Sequence, residues 1–190
     1  ALGEAFDKTA KLLGIEFPGG PQIEILAEKG DPNKYDLPKP LFNKGGCNLS
    51  FAGLKTAILR IAKNIKTDQE KFDLAASFQN TIEKILYKKT KIAFDEFEKQ
   101  NNLKQKIFVV AGGVAANKNI RSMLTSLCNE ENYQNIIPPI ELCGDNAAMI
   151  AMVGLEKFKL GDFSNLDHPA KPRWPLDQQA PFLKGAGVKL

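Results

Sequence analysis

Four short stretches of this 190-residue chain set an acid or an amide beside glycine, which lets backbone and side chain approach one ligand together. They are Gly3 to Asp7, Pro18 to Pro21 with Glu24, Gly112 to Asn117, and Cys143 to Asn146. Asp7 lies on a helical pattern and reads either as a ligand group or as a solvated acid paired with Lys11 at i+4. Glu24 is open in the same way, a ligand group or a plain surface acid. Gly112-Gly113 precedes a helix start, and a helix N-terminus offers unpaired N–H groups to an anion. Asn117, at that start, suits an N-cap or a hydrogen bond to a ribose or base. Asp145, between Gly144 and another helix start, suits an N-cap or a hard-cation ligand. One carboxylate makes no metal site, so other ligands would come from elsewhere. In an open α/β sheet, ligands sit beyond the strand C-termini, where all four loops could face one site.

The elements that must position these loops follow from periodicity. Ile107 to Ala111 is an unbroken apolar run ending in Gly112-Gly113, which reads as a strand buried on both faces. Ile120, Met123, Leu124 and Leu127 then mark one face of a helix. Gln134 to Pro138 reads as a second strand, cut short by Pro138-Pro139. Upstream, Leu2 to Leu13 is helical and stopped by Gly14; Pro18-Gly-Gly-Pro21 is a turn that continues no helix; Gln22 to Lys29 is a short helix. Asp31 to Gly46, with three prolines, reads as a wrapping loop. Asn48 to Phe51 alternates like a half-buried strand, Gly53 to Ala62 is helical, and Asp68 to about Gln100 carries a long apolar stripe, one helix or two that abut. A loop at Cys143 feeds a small-residue helix that runs to Leu160. This divides the chain into a helical segment with its wrapping loop (1–46), a central lobe (47–160) and an extended Pro-rich tail (161–190).

Composition narrows the class. The length is enough to bury roughly 70% of the unfolded surface. No apolar run approaches a membrane span, and the amphipathic start is unlike a secretory leader. The net charge of +4, with a Lys-dense run from Lys84 to Lys91, tolerates an RNA partner without requiring one. Cys47, Cys128 and Cys143 are odd in number and lack C-x-x-C spacing, which suits a reducing, cytoplasmic setting. His168 is the single histidine, so a Ser-His-Asp triad or an internal histidine metal site is not expected. The chain opens at Ala1 without Met, so an engineered chain, a processed chain or a fragment is expected.

Taken together, the motifs resemble the TsaD family of bacterial tRNA threonylcarbamoyltransferases, once called glycoproteases. The matching stretches are Gly3-Glu-Ala-Phe-Asp-Lys8, Phe17-Pro-Gly-Gly-Pro21, Leu49-Ser-Phe-Ala-Gly-Leu-Lys-Thr56 and Ala75-Ala-Ser-Phe78. Ala111-Gly-Gly-Val-Ala-Ala-Asn-Lys118, Cys143-Gly-Asp-Asn-Ala-Ala-Met-Ile-Ala151 and Pro172-Arg-Trp-Pro-Leu-Asp177 follow in family order. The resemblance implies an actin/Hsp70/sugar-kinase-like (ASKHA) nucleotide fold, this chain supplying the C-terminal lobe with a helix-rich insert. It implies transfer of a threonylcarbamoyl group from threonylcarbamoyl-AMP to N6 of the tRNA adenosine beside the anticodon, releasing AMP. It assigns the adenylate to Asp7, Gly20, Glu24, Gly112, Gly113 and Asn117, and a metal, usually described as iron, to Asp145. TsaB-like and TsaE-like partners, and a TsaC-type source of the adenylate, are implied as well.

Two family features have no counterpart here: a histidine pair at i, i+4 that completes the metal site, and a glycine-rich phosphate loop. Gly144 also stands where the family usually has Thr, and Ala52 where it often has Ser. The expectation is therefore the C-terminal part of such an enzyme, inactive alone. A sugar- or acetate-kinase-like phosphotransferase, and a non-catalytic lobe that docks a partner through its long helix, are the alternatives.

Overall fold

The computed structural model describes residues 1–100, 105–167 and 169–170; His168, the Pro172–Asp177 motif and most of the expected tail lie outside them. Among the described residues are six α-helices: α1 (Leu2–Leu12), α2 (Gly19–Ala27), α3 (Leu54–Ala62), α4 (Asp68–Gln100), α5 (Lys118–Glu130) and α6 (Ala147–Lys159). Two strands, β1 (Ile107–Val109) and β2 (Gln134–Ile136), pair in parallel with Phe108 opposite Asn135. Short 3-10 turns at Gly113–Ala116 and Ile140–Leu142 follow the strands. This is an α/β chain in two compact units, residues 1–146 and 147–190.

In the first unit, α4 is the spine. Thr67 and Glu70 start it with reciprocal bonds: Glu70 N–H donates to Thr67 Oγ1 (3.2 Å) and Thr67 N–H to Glu70 Oε2 (3.0 Å). Such a capping box contributes about 1 kcal/mol. The helix runs unbroken for 33 residues, and its stripe of Leu74, Ala75, Phe78 and Ile82 is fully buried. Against it pack Phe6 and Ala10 of α1, Ile23 of α2, Leu54 and Ile58 of α3, and Ile120 and Leu124 of α5. Phe6 meets Phe78 edge-to-face at 4.9 Å. Each large buried apolar side chain contributes about 1.5–3 kcal/mol. Residues 1–46 therefore share one core with the residues that follow them, Leu37 included.

The wrapping loop is held by α4's polar face rather than by regular structure. Asp31 N–H donates to Asp73 Oδ1 (2.9 Å), Tyr35 N–H to Ser77 Oγ (3.1 Å), and Asn80 Nδ2 to the Pro32 carbonyl (2.7 Å). Farther along, the buried Lys89 donates to the Lys44 and Gly46 carbonyls. The Asp31 amide, then the Gln69 side chain, holds the Asp73 carboxyl below its ordinary value. A depressed carboxylate stabilises the fold above its unfolded pKa and loses that contribution as pH falls through the folded one. Asp73→Asn should therefore melt lower than the parent at neutral pH, and the gap should close on acidification from about pH 5 past the ordinary value of 3.8, read by thermal melts. A gap that stays constant with pH would contradict this.

Three sequence expectations change. Pro18–Pro21 does not stay outside a helix: α2 begins at Gly19, with Pro18 extended (ψ 128°) as its cap residue. Pro21 falls in the first turn, where a missing N–H costs nothing. Asn48–Phe51 forms no strand, for no described strand lies beside it; Phe51 packs on the core and Leu49 is 49% exposed. Nor is β1 buried on both faces. Phe108 turns inward to Phe94 (5.0 Å, edge-to-face), while Ile107 and Val109, on the other face of the strand, are 42% and 61% exposed.

In the second unit, α6 buries none of its residues, and Phe158 meets Phe163 edge-to-face at 5.7 Å. No described helix is long and apolar enough to cross a membrane.

Candidate functional site

A cavity of about 600 Å³ opens within the first unit, and its walls come from segments distant in sequence. α1 supplies Gly3, Phe6 and Asp7; the start of α2 supplies Gly20, Pro21 and Glu24; the turn after β1 supplies Gly113, Val114 and Asn117; the loop after β2 supplies Ile140 and Gly144. Of the residues singled out by sequence, Asp7, Gly20, Glu24, Gly113 and Asn117 all line it. Gly112 stands one residue outside the lining with φ +92°, a conformation open to glycine that lets the chain turn from β1 into the 3-10 turn. Asp145 is exposed beside the lining Gly144, and is not itself part of the wall.

The side chains do more structural work than their types suggested. Asp7 does not pair with Lys11; its Oδ1 accepts the Gly19 N–H at 3.0 Å, satisfying a first-turn amide of α2. Glu24 is no plain surface acid. Its Oε1 accepts the Lys118 N–H at 2.6 Å, joining α2 to the first residue of α5. Asn117 is the N-cap of α5: Oδ1 accepts the Ile120 N–H (3.0 Å), and Nδ2 donates to Gln79 Oε1 of α4 (2.9 Å). The start of α5, expected to offer free amides to an anion, thus has two of them filled by Glu24 and Asn117. Each carboxylate still has its second oxygen, and the Asn117 amide its second N–H.

Four groups at or beneath the site escaped the sequence reading. Lys118 lines the cavity with an exposed ammonium. Gly19 is sterically obligatory, for a Cβ there would lie 2.4 Å from Ala10 Cβ and 3.0 Å from Asp7 Cα, whereas one at Gly20 would meet nothing within 4 Å. Gln79 fixes the Asn117 amide. Arg121 ties two cavity walls: Nε donates to the Ala115 carbonyl (3.1 Å), and Nη2 to the Pro138 carbonyl (2.8 Å) and the Cys143 sulfur (3.4 Å). Gly19 and Lys118 sit inside motifs already noted; nothing local in the sequence marks Gln79 or Arg121.

Among the described residues no three of His, Cys, Asp and Glu gather to hold a metal ion. α6 begins at Ala147, so the cap position falls to Asn146 and not Asp145. Asp145 is left as a lone exposed carboxylate, and the described residues do not by themselves fit a metal.

Comparison with known proteins gives a consistent result. Residues 1–152 match the family described as TsaD, tRNA N6-adenosine threonylcarbamoyltransferase. Over all 190 residues the chain is 77% identical to the tRNA N6-adenosine threonylcarbamoyltransferase of Pelagibacter ubique, covering 53% of that protein. It is 51% identical over 180 residues to the Rickettsia massiliae protein of the same name, covering 52% of it, and 46% identical over 195 aligned positions to that of Cereibacter sphaeroides, covering 53%. The chain thus spans about half the length of the curated relatives it matches.

Proposed function

The chain belongs to the TsaD family, and from that premise we propose that it forms the adenylate-holding part of a tRNA N6-adenosine threonylcarbamoyltransferase with an ASKHA-type fold. The observation that carries this is the cavity of about 600 Å³ that gathers Asp7, Gly20, Glu24, Gly113 and Asn117 from four separate segments. Its apolar wall of Phe6, Val114 and Ile140 suits an adenine ring, and the free oxygens of Asp7 and Glu24 suit ribose hydroxyls. The Lys118 ammonium suits a phosphate.

In the proposed reaction, N6 of the tRNA adenosine attacks the carbamoyl carbon of threonylcarbamoyl-AMP. The new C–N bond forms as the C–O bond to phosphate breaks, the electron pair leaves on AMP, and N6 gives up a proton. Residues here contribute by holding the adenylate so that the carbonyl faces the incoming amine, and by meeting the charge that builds on the phosphate. The metal implied for the family would have Asp145 as its one carboxylate ligand here, and no step is assigned to it. TsaB-like and TsaE-like proteins are the proposed partners, and a reaction on tRNA sets it in the cytoplasm.

Calorimetric titration with AMP tests the reading. The 190-residue chain should bind AMP, and Lys118→Ala should weaken binding about tenfold, the value of one charged hydrogen bond. Absence of AMP binding, or binding indifferent to Lys118→Ala and Glu24→Gln, would overturn it. Because the chain spans about half of its relatives, it should bind without transferring; tRNA turnover by the chain alone would contradict that.

A further inference from the structure

A second depression, of about 440 Å³, is lined by α4, by Met123 of α5 and by Phe42 of the wrapping loop. Asn80, Lys84, Lys88 and Lys91 repeat along one face of α4 at helical spacing, and all four line it. Tyr87 lines it between them and donates to Glu130 Oε2 (2.8 Å), while Lys91 pairs with Glu131, so acids from the end of α5 neutralise that end. The Lys84–Lys88 end is different. Lys88 Nζ sits 4.1 Å over the Phe42 ring and donates to the neutral Asn43 Oδ1 (3.2 Å), and Lys84 is exposed. Two lysines and two aromatic rings, Phe42 and Tyr87, therefore line one groove, with Lys88 directly over Phe42.

That arrangement fits a phosphate backbone whose bases find an aromatic face. We propose that this groove is where the RNA substrate docks its backbone while the target base enters the adenylate cavity. The proposal rests on the functional reading above and adds the surface that receives the RNA. The two sites meet on α5 alone: its N-cap Asn117 lines the cavity and Met123 the groove, six residues or about 9 Å apart along the axis, while α4 lines only the groove. Gln79, bonded to Asn117, is five residues from Lys84 on α4. In the proposed complex the RNA sets one base at the cavity and neighbouring phosphates at the two lysines, and the Asn117–Gln79 bond ties together the helices that carry the two sites. Two acids oppose the lysines: Glu83, half-buried in the groove wall, whose carboxyl burial pushes up, and Asp36, which pairs with Lys39 and also feels the Lys84 charge.

Fluorescence anisotropy with a labelled anticodon stem-loop RNA, titrated at several salt concentrations, tests this. Lys84→Gln with Lys88→Gln should weaken RNA binding about tenfold and lower the salt slope by about one per lysine. Glu83→Gln should tighten binding, the opposite direction from a groove that serves only packing. AMP affinity should stay unchanged in both variants, which also reports that they are folded. RNA binding unaltered by the lysine pair overturns the groove, as does a chain that binds AMP and no RNA; the functional reading survives either result. A chain that binds neither removes both. Poly-L-glutamate binding more tightly than RNA at equal charge, and losing that binding in the lysine pair, would overturn the proposal in favour of an acidic polypeptide as occupant.

Discussion

Gly30→Ala should cost the fold about 3 kcal/mol or more, the upper range for forcing atoms into a packed site. A Cβ at this position would lie 2.1 Å from the Phe72 carbonyl oxygen and 2.6 Å from the Asp73 amide nitrogen. Both neighbours are backbone atoms of α4, which cannot rotate away as a side chain would. Displacing residue 30 would also strip the bonds that follow it, since Asp31 N–H donates to Asp73 and Asp31 O accepts from Ser77 Oγ (3.2 Å). The loss should therefore propagate through the wrapping loop to Tyr35 and Leu37. In urea unfolding the midpoint should fall sharply with the slope kept. Gly20→Ala is the control, for its Cβ meets nothing within 4 Å and should change stability little. Equal behaviour of the two variants would show that the crossing at residue 30 does not limit the fold.

That contrast also shows what could be read from the chain alone. The helices were legible because burial against one spine imposes a 3.6-residue rhythm on the elements that pack on it; α4 itself, the spine, is buried on every face from Asp73 to Gln79. The motifs that line the cavity were legible because glycine beside an acid or amide is a local signature. Pairings were not. Glu24 and Lys118 are 94 residues apart, and Gln79 and Asn117 are 38, so no window of sequence contains either bond. The same gap hid what fixes Gly19 and Gly30: each is held by backbone arriving from another helix, Asp7 of α1 at Gly19 and Phe72 and Asp73 of α4 at Gly30. The alternation at Asn48–Phe51 misled for the converse reason: period two marks one buried face, and a single loop residue such as Phe51, packed on the core, produces it without any strand beside it.

Asn117 is where fold and proposed chemistry meet, and two substitutions there should come apart. Asn117→Ala removes the α5 cap, worth about 1 kcal/mol. It also leaves Gln79 Oε1 without a donor in a side chain that is 3% exposed, at a further cost of about 1–3 kcal/mol. The sum, about 2–4 kcal/mol, should exceed that of the double variant with Gln79→Leu, because an orphaned acceptor costs more than an absent one. Asn117→Asp behaves differently. Its oxygens can still cap Ile120, and the Gln79 amide can turn to donate where it formerly accepted. Stability should stay within about 1 kcal/mol of the parent. AMP binding should nonetheless fall at least tenfold, because a third carboxylate then lines a cavity that already holds Asp7 and Glu24 and must accept a phosphate. Urea unfolding and AMP titration on the same samples separate the two effects. If Asn117→Asp binds AMP as the parent does, Asn117 is a cap and nothing more, and the adenylate must lie elsewhere in the cavity.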